Sequence, residues 1–522
     1  MRAHNKNKQF WLLLVLLFIV MFGFSLRFYN LAKESLWLDE IVGSVLPAKQ
    51  SITYLLNHNI NLPVSTYHII LHYWMQIFGQ SEFSVRFPAL IFGVLSIFMI
   101  YKLGKALFNP EIGLISALIL AVSPFQIHYS QEARPYSLLM LLSLISTYYF
   151  VKFIKSKDKE NFHYKFDYPV HKISNFIKNK KNIGIYIVST LIGIYTHYFI
   201  FFLLIFQNIY LFIYTIKNKK IVNSWIISQC IITLLFLLYN PFFLKHIIWG
   251  INGGFTYLNQ YFSLYSIIKT FYVFILDYAF INSNYCIPCF HVNPFIIFLV
   301  GIVFLLLIFL GIKSLFVYKK NFKELIYKNE KLIFLILYLL MPIAILYTIS
   351  FIIPLFQTRY VIYSSAPLYI LISRGISGFK KIAKLPFIFL LLFLFSFVLF
   401  GYYNDVTKEQ WREASNFIDK SSKETDVIIY PYPTFVFEYY DVKIDKKRLI
   451  PNNYPYSKDS PEAYGEPLKP NDIDQITSNY NRVWLVLPPP WELKDYKDIA
   501  KEFKTLILEK EFKGVKIYLY SI

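Results

Sequence analysis

Long apolar segments separated by short basic ones constrain this chain more than any other feature of its sequence. The 522 residues are 56% hydrophobic, and the mean hydropathy is +0.44. About 20 consecutive apolar residues cross the hydrocarbon core of a bilayer as a helix, and soluble domains do not carry many such segments. The sequence therefore predicts a polytopic α-helical membrane protein and excludes a soluble globular fold.

The net charge of +21 could also indicate a nucleic-acid partner. However, the lysines and arginines cluster between the apolar segments, as they do in the cytoplasmic loops of membrane proteins. The sequence carries no nucleic-acid-binding motif. We therefore expect membrane lipids, and no nucleic acid, among the partners.

The distribution of basic residues predicts about 11–13 transmembrane helices, in a multi-pass protein of the cell membrane with a cytoplasmic N-terminus. No small-residue cleavage site follows the first apolar segment, so we interpret it as an uncleaved helix and not as a signal peptide. The predicted helices cover residues 10–28, 88–107, 111–127, 136–154, a hairpin over 183–216, 223–244, 294–312, 332–352, a helix that returns to Arg374, and 385–403.

The segments between these helices differ in charge. The basic segments 155–182 and 313–331 are predicted to be cytoplasmic, whereas the loop 29–87 is predicted to lie outside. Within that first outer loop, residues 66–78 are apolar and aromatic and are predicted to lie along the membrane surface. The apolar segment 267–280 could be re-entrant, interfacial or half of a helix pair, so the helix count around 247–294 stays open.

The composition changes after residue 403, where charged residues become interspersed with apolar ones. This change predicts two domains, a transmembrane domain over 1–403 and a small extracytoplasmic α/β domain over 404–522. Predicted helices cover 408–419 and 495–503, predicted strands cover 426–432, 482–487, 505–512 and 515–520, and Lys513-Gly514 is predicted to be a hairpin turn.

Asp39 and Glu40 are adjacent carboxylates that follow the first apolar segment closely. Carboxylates beside a bilayer are costly and need a partner, a metal or a proton. One interpretation is an interfacial acidic pair that caps a short helix. The other is a functional site, with which three further features at outer helix ends agree, and these are Glu132 with Arg134, His197, and Arg359 with Tyr360.

Each of these features also has a structural interpretation: Glu132 and Arg134 could pair with each other, His197 could cap a hairpin, and Arg359 could extend to lipid headgroups. Together they suit a definite task. Arginines could hold a lipid-linked phosphate while a carboxylate accepts a proton from an acceptor hydroxyl.

Three cysteines are present, of which Cys230 is predicted to fill apolar space in a helix. Cys286 and Cys289 lie in an outer segment with His291 nearby. A disulfide is the plainer interpretation in an oxidising compartment, and a zinc site would need a fourth ligand that the sequence does not identify.

Several motifs together resemble the GT-C class of polytopic glycosyltransferases, in the branch of the protein O-mannosyltransferases and the lipid A aminoarabinose transferases. They extend over nearly the whole chain and are strongest over 30–140. The matching motifs are Leu36-Trp37-Leu38-Asp39-Glu40, Leu62-Pro63 with His68 to Trp74, Ser84-Val85-Arg86-Phe87-Pro88, Ser123-Pro124 and Ser130-Gln131-Glu132-Ala133-Arg134-Pro135-Tyr136, Thr196-His197-Tyr198-Phe199, Thr358-Arg359-Tyr360 and Gln410-Trp411-Arg412-Glu413-Ala414.

This resemblance implies a GT-C fold, a sugar donor on a polyprenyl phosphate, and inversion at the anomeric carbon. It also implies that Asp39 is the general base and that Glu132 is the second carboxylate. One departure is that many relatives carry His-Pro-Pro-Leu in the first loop, where this chain has Asn61-Leu62-Pro63-Val64. The role of that histidine would then be absent or would pass to His58 or His68.

We therefore assign candidate roles to nine residues. The catalytic candidates are Asp39, Glu40 and Glu132, the donor-phosphate candidates are Arg134, Arg359 and Tyr360, and the substrate-binding candidates are His68, Tyr136 and His197. The sequence identifies no cofactor with certainty, and Asp39 and Glu132 could hold a divalent cation such as Mg²⁺ or Mn²⁺.

The acceptor would be a hydroxyl of a glycan, a lipid or a protein. Two other functions stay open at this point, namely a transporter or flippase of polyprenyl-linked sugars, and a polymerase or ligase of surface glycans. Transporters commonly place ionisable groups at the bilayer midplane, whereas the candidate residues here are predicted at helix ends.

Overall fold

The computed structural model describes most of the chain, and its architecture is a helical bundle followed by a small sheet. Residues 29–53 and 65–87 of the loop predicted to lie outside, the helix ends beside it and the start of the C-terminal region are among the described parts. The described residues are 2–53, 65–162, 169–215, 222–239, 248, 263–277, 294–313, 322–353, 355–431, 436–440, 442–449, 479–487, 503 and 505–522.

Fourteen described α-helices of seven or more residues precede the sheet-forming region and are numbered here in chain order, and a 3-10 helix, Thr358–Ser364, lies between the twelfth and the thirteenth. They are α1 Arg2–Phe28, α2 Thr66–Phe78, α3 Glu82–Leu107, α4 Pro110–Val122, α5 Pro124–Ser130, α6 Tyr136–Phe162, α7 Pro169–Thr196, α8 Ile200–Thr215, α9 Val222–Tyr239, α10 Leu264–Leu276, α11 Pro294–Ile312, α12 Phe322–Ile349, α13 Ser365–Ser377 and α14 Lys381–Asn404.

Five helical stretches in the described part of the chain are long and apolar enough to cross a membrane, by length and composition. The bent pair α4 and α5 makes a sixth if it is counted as one span. Shorter apolar helices include α8, α9 and α10. The predicted fold class is thus confirmed, while the count of 11–13 helices stays a prediction. Cys230 on α9 is exposed, so the prediction that it fills buried apolar space is wrong. The five stretches are Asn7–Phe28, Glu82–Leu107, Tyr136–Lys155, Asn329–Ile349 and Lys381–Asn404.

Three predicted segments differ from the structure. Most of 155–182, predicted to be a loop, is helical, because α6 continues to Phe162 and α7 begins at Pro169. Likewise α12 begins at Phe322, inside the predicted basic loop 313–331. Lysine is a good helix former, so a basic segment can prolong an apolar helix beyond the membrane.

The predicted helix over 111–127 is two helices that meet at Ser123 with a bend of 60°. Pro124 cannot continue the hydrogen-bonding pattern of α4, which leaves the last carbonyls of that helix without partners. Arg27 of α1 supplies them, donating to the carbonyl oxygens of Leu120 at 2.9 Å and Ala121 at 2.7 Å. A buried arginine therefore stabilises the bend by hydrogen bonds to backbone carbonyls.

The undecided segment 267–280 contains α10, of 13 residues. A helix of that length spans only about 20 Å, which is short of the bilayer core. It ends at Asp277, which has a φ of +63° and is buried. The end of this helix therefore brings a carboxylate into the bundle beside α5, where it meets His128.

After α14, helix α15 (Trp411–Ser421) precedes a sheet of five strands in the order β2-β1-β3-β5-β4. The strands β1, β2 and β3 are parallel, whereas β5 pairs antiparallel with β3 and β4. The four predicted strands and the Lys513-Gly514 turn are confirmed, and the short charged strand β2 was missed. The strands are β1 Asp426–Pro431, β2 Asp445–Leu449, β3 Arg482–Leu487, β4 Thr505–Phe512 and β5 Val515–Ser521.

One face of this sheet packs against the loop 29–87. Ile428 of β1 and Trp484 of β3 share an apolar cluster with Trp411 of α15 and with Leu36 and Ile41 of that loop. Val427 and Val483, whose side chains alternate to the opposite face, belong to a separate cluster. The C-terminal region thus buries part of the loop that carries the Asp39-Glu40 pair.

The division into two domains at residue 403 stays a prediction. The predicted helix over 495–503, apart from residue 503, and the pair Cys286 and Cys289 lie outside the described residues, so they also stay predictions.

Candidate active site

Glu40 and Arg86 form a buried ion pair that joins the two ends of the loop 29–87. Arg86 lies near the start of α3 and donates through Nε to Glu40 Oε1 at 2.8 Å and through Nη2 to Glu40 Oε2 at 2.7 Å. Its remaining N–H groups donate to the carbonyl oxygens of Leu31, Glu34 and Ser35. All five donors of the guanidinium are therefore satisfied, and the loop is wrapped around it.

The Glu40 carboxylate has two more partners from distant parts of the chain. Lys408 Nζ approaches Oε2 at 3.1 Å, and the backbone N–H of Ala133 donates to Oε1 at 2.8 Å. Burial opposes ionisation of this carboxyl, but the charges of Arg86 and Lys408 outweigh it and lower its pKa to about 2. We call Glu40, Arg86 and Lys408 the anchor cluster; it holds together the loop, α3, the turn after α5 and the C-terminal region.

The neighbouring Asp39 side chain points to a different set of residues. Its Oδ2 accepts from Arg359 Nη1 at 2.9 Å, and Arg134 Nη1 donates to its backbone carbonyl at 2.9 Å. About a third of the Asp39 side chain, 35%, is exposed, whereas that of Glu40 is fully buried. Although desolvation raises the pKa of Asp39, attraction to Arg359 and Arg134 outweighs it and lowers that pKa, so Asp39 is a carboxylate at neutral pH.

The Arg134 guanidinium occupies space that the glycine at residue 43 leaves open. A Cβ built on Gly43 would lie 1.6 Å from Arg134 Nη1, so any other residue there would displace this guanidinium from the Asp39 carbonyl. His68 of α2 helps to hold this backbone, since its Nε2 lies 3.0 Å from the Gly43 carbonyl and its Nδ1 accepts from Ser65 N–H. Both ring nitrogens are thus engaged with backbone, which gives His68 a structural role that its assignment as a substrate ligand did not include.

Aromatic rings and a histidine surround the two arginines. The Tyr136 ring centre lies 5.6 Å from the Arg134 guanidinium carbon and 5.7 Å from that of Arg359. His197 lies against both Tyr136 and Tyr360, with ring centroids 5.8 Å and 5.3 Å apart. Burial, together with the charges of Arg134 and Arg359, lowers the pKa of His197 to about 3, so the imidazole is neutral.

Four buried N–H or ring-nitrogen atoms have no hydrogen-bond partner in the structure; three belong to the arginines and the histidine just described, and one to Trp37, two residues before Asp39 in the chain. They are Arg134 Nε, Arg359 Nε, His197 Nδ1 and Trp37 Nε1. Unsatisfied buried polar atoms are rare because each costs about 1–3 kcal/mol, and their concentration in one place indicates a site that a polar ligand completes. Cationic donors beside aromatic rings suit an anionic group joined to a sugar or to another flat or apolar body.

Glu132 belongs to a separate cluster. Its Oε1 lies 3.0 Å from His128 Nε2, and the other ring nitrogen of His128 lies 2.7 Å from Asp277 Oδ2. The second oxygen of each carboxylate, Glu132 Oε2 and Asp277 Oδ1, is buried without a partner. His128 therefore bridges the end of α5 to the end of α10, and Glu132 turns towards it and not towards Arg134.

The structure brings six of the nine predicted site residues together, namely Asp39, Arg134, Tyr136, His197, Arg359 and Tyr360. It gives Glu40, Glu132 and His68 other partners, so the sequence-based alternative in which Glu132 pairs with Arg134 is wrong. Among the described residues, no group of three or more His, Cys, Asp or Glu side chains is arranged to hold a metal ion. A cation shared by Asp39 and Glu132 stays a prediction.

Sequence reasoning missed Arg86, Lys408 and the His128–Asp277 contact as parts of this region. Arg86 offered a signal, because a charge at the start of a membrane helix needs a counter-charge. Lys408 and Asp277 offered none, since nothing in their local sequence indicates that they pack against residues 40 and 128.

The contrast between adjacent carboxylates predicts opposite effects of two isosteric substitutions. Glu40→Gln leaves Arg86 and Lys408 buried with reduced compensation, so we expect it to lower the stability of the folded protein by ~3–5 kcal/mol. Asp39→Asn should change stability much less, because its side chain is partly exposed. Thermal unfolding of both purified variants in the same detergent measures the difference, and equal melting temperatures would contradict the anchor role of Glu40.

The comparisons with known proteins agree with this architecture. Residues 63–164 match the family model described as dolichyl-phosphate-mannose-protein mannosyltransferase. No curated protein sequence matches the chain at a significant level.

Solved structures match over nearly the whole chain. The apo crystal structure of ArnT from Cupriavidus metallidurans is 9% identical, covers 98% of both chains and has a TM-score of 0.62. The same protein bound to undecaprenyl phosphate is 10% identical, covers 97% of both chains and has a TM-score of 0.57. The oligosaccharyltransferase AglB from Archaeoglobus fulgidus, with an inhibitory peptide and dolichol phosphate, is 12% identical, covers 98% of this chain and 74% of its own, and has a TM-score of 0.53. The chain therefore has the GT-C fold of the protein mannosyltransferase and ArnT type, which confirms the resemblance seen in its motifs.

Proposed function

We propose that this protein is an integral membrane glycosyltransferase that moves a sugar from a polyprenyl-phosphate donor to a hydroxyl group of an acceptor, with inversion. One observation supports this most directly. An ionised carboxylate, Asp39, lies beside two arginines whose Nε–H groups are buried and unpartnered. The matched ArnT structure with undecaprenyl phosphate and the AglB structure with dolichol phosphate show that proteins of this fold bind polyprenyl phosphates.

In this proposal Arg134 and Arg359 hold the donor phosphate. Departure of the phosphate from the sugar leaves negative charge on oxygen, and guanidinium groups already in place stabilise that charge without reorganisation. Each arginine has a free Nε–H besides the N–H groups that hold residue 39. The donors that bind phosphate therefore come from the same side chains that hold the loop of the base.

Asp39 acts as the general base. The acceptor hydroxyl transfers its proton to the Asp39 carboxylate while its oxygen bonds to the anomeric carbon. The bond from that carbon to the phosphate oxygen breaks, and its electron pair leaves with the polyprenyl phosphate. A single displacement without an enzyme nucleophile inverts the anomeric configuration. The neutral imidazole of His197 and the rings of Tyr136 and Tyr360 form the walls against which the sugar lies.

Because Asp39 pairs with Arg359, binding of the donor phosphate should also change the pKa of Asp39. A phosphate that binds Arg359 competes with Asp39 for the same cation. Once Arg359 is shared, Asp39 loses part of the attraction that lowers its pKa and gains an anionic neighbour. Donor binding would then make Asp39 a stronger base at the moment when a base is needed.

We further propose that this site and the C-terminal region lie outside the cytoplasm. The basic segments between helices support this orientation. The contact between Glu40 and Lys408 means that the first loop and the C-terminal region share one side of the membrane. The sugar and the acceptor class are left to experiment.

The orientation predicts that an exposed position in the turn before β1 is reachable from outside intact cells. In a background in which Cys230, Cys286 and Cys289 are serine, Glu424→Cys should react with a membrane-impermeant thiol reagent before lysis. A cysteine at Lys380, between α13 and α14, serves as the cytoplasmic control. Labelling of Glu424→Cys only after lysis would reverse the topology.

The role of Asp39 predicts a loss of turnover without a loss of fold. Asp39→Asn keeps the shape of the side chain but removes the proton acceptor, so transfer from a polyprenyl-phosphate sugar should fall by ~10²–10⁴-fold. Binding of undecaprenyl phosphate to the same purified variant should persist. Near-normal transfer by folded Asp39→Asn would remove Asp39 as the base.

The role of the arginines predicts a change in donor affinity. Arg134→Lys and Arg359→Lys keep the positive charge but lose the planar group with several fixed donors. We expect the donor KM to rise by about 10-fold or more, since a charged hydrogen bond contributes ~1.5–3 kcal/mol. Lys33→Arg, an exposed cation outside the site, is the control, and unchanged donor KM in both lysine variants would leave the arginines as structural groups.

The competition for Arg359 predicts two different pH profiles. A base must be deprotonated, so activity is lost as the pH falls through its pKa. The acid limb of kcat/KM reports the free enzyme and that of kcat reports the donor complex. Because the pKa of Asp39 is lowered in the free protein, the acid limb of kcat should lie at the higher pH. Coincident limbs would mean that Arg359 stays on Asp39 throughout.

A further inference from the structure

The segment that leads from α14 into the C-terminal region follows the loop of Asp39 almost residue by residue. The Glu34 carboxylate accepts from Thr407 Oγ1 at 2.7 Å and from the Lys408 N–H at 3.2 Å. Ser35 Oγ donates to the Glu409 carbonyl oxygen. Further along, Leu36 N–H donates to Tyr440 Oη at 2.8 Å.

The contact nearest to Asp39 is made by the Glu409 side chain. Its Oε2 accepts from the backbone N–H of Leu38 at 3.1 Å, directly before Asp39 in the chain. The same oxygen accepts from Trp411 Nε1, and Trp411 is fully buried in the cluster that joins α15 to the loop. One carboxylate oxygen therefore connects the backbone beside Asp39 to a fixed ring of the C-terminal core.

The position of Glu409 is costly for a carboxylate. Burial raises its pKa to about 7 against the two hydrogen bonds, which lower it, and the negative charge of Asp39 adds to the rise. No cation is paired with Glu409 among the described residues, in contrast to Glu40. An apolar side chain of similar length would avoid this desolvation cost. The two hydrogen bonds that Glu409 accepts are therefore the reason for a carboxylate at this position.

We propose that Glu409 is a positioning residue for Asp39, holding the Leu38 N–H so that the Asp39 carboxylate faces Arg359 and the reacting hydroxyl. This inference rests on the proposed function for its catalytic consequence. It makes the C-terminal region a part of the catalytic machinery of the helical bundle. Catalytic groups lose about 10²-fold in rate when displaced by roughly 1 Å, so the contact bears on turnover.

The role is that of a hydrogen-bond acceptor and not of a charge, which distinguishes two substitutions. Glu409→Gln keeps an oxygen that can accept from both Leu38 and Trp411, and should retain most of the turnover. Glu409→Met keeps the length but has no strong acceptor, and should lower kcat by about 10²-fold. Binding of undecaprenyl phosphate, which is assigned to the arginines, should change by less than about threefold in either variant.

Hydrogen exchange at the Leu38 amide tests the contact independently of activity. In the full-length protein in detergent, Glu409→Met should speed exchange at Leu38, whereas Glu409→Gln should not. Glu509→Met, which removes an exposed acid from β4 of the same domain, is the matched control for both measurements.

Two results would overturn the proposal. Unchanged exchange at Leu38 in folded Glu409→Met would remove the contact, and faster exchange with unchanged kcat would remove its effect on Asp39. Failure of the proposed function would give a different result, namely that folded Asp39→Asn retains transfer. That result comes from a different variant, so it cannot be confused with either outcome at Glu409.

Discussion

The buried carboxylate of Glu40 is the point on which the rest of the site depends. Five hydrogen-bond donors from four parts of the chain converge on its two oxygens: two from Arg86, one each from Lys408 and Ala133, and a longer one from Trp37. An isolated ion in this place would cost several kcal/mol, and the neighbouring charges and backbone groups offset that cost only in one geometry. The anchor cluster therefore specifies how loop, bundle and C-terminal region meet.

This anchor allows Asp39 to be both exposed and fixed. A catalytic base needs access to its substrate, and a partly exposed side chain on a loop is ordinarily mobile. Here the adjacent residue is locked by ion pairs, the preceding amide is held by Glu409, and the carbonyl of residue 39 is held by Arg134. The proposed base is thus oriented by its neighbours along the chain, while its own carboxylate contacts only Arg359 among the described residues.

The same region keeps several buried donors without partners. Arg86, in the anchor cluster, has every N–H satisfied, whereas Arg134 and Arg359 each keep Nε unused. Arginines of two kinds therefore contact the same loop: one with every N–H group bonded, and two with a free Nε–H group. The satisfied arginine contributes to the fold, and the unsatisfied ones carry a free-energy cost that the proposed donor phosphate would remove. This difference in hydrogen bonding distinguishes Arg86 from the two arginines proposed to bind the donor.

The sequence by itself determined the class of the protein, its motifs and most of the C-terminal strands. The length of an apolar segment, the clustering of basic residues and the alternation of a strand are local properties. They can therefore be recognised from a short segment alone, such as 426–431 or 82–107. The family resemblance assigned the base to Asp39, but the local sequence could not show that Asp39 faces the site while Glu40 is buried. Successive residues of a helical turn point about 100° apart, and which direction faces the site depends on Arg86, Lys408 and Arg359, which are 46, 368 and 320 positions away in the chain. Only the tertiary structure brings those charges together. A buried carboxylate needs a cation beside it, and the packing of distant segments decides which cation that is.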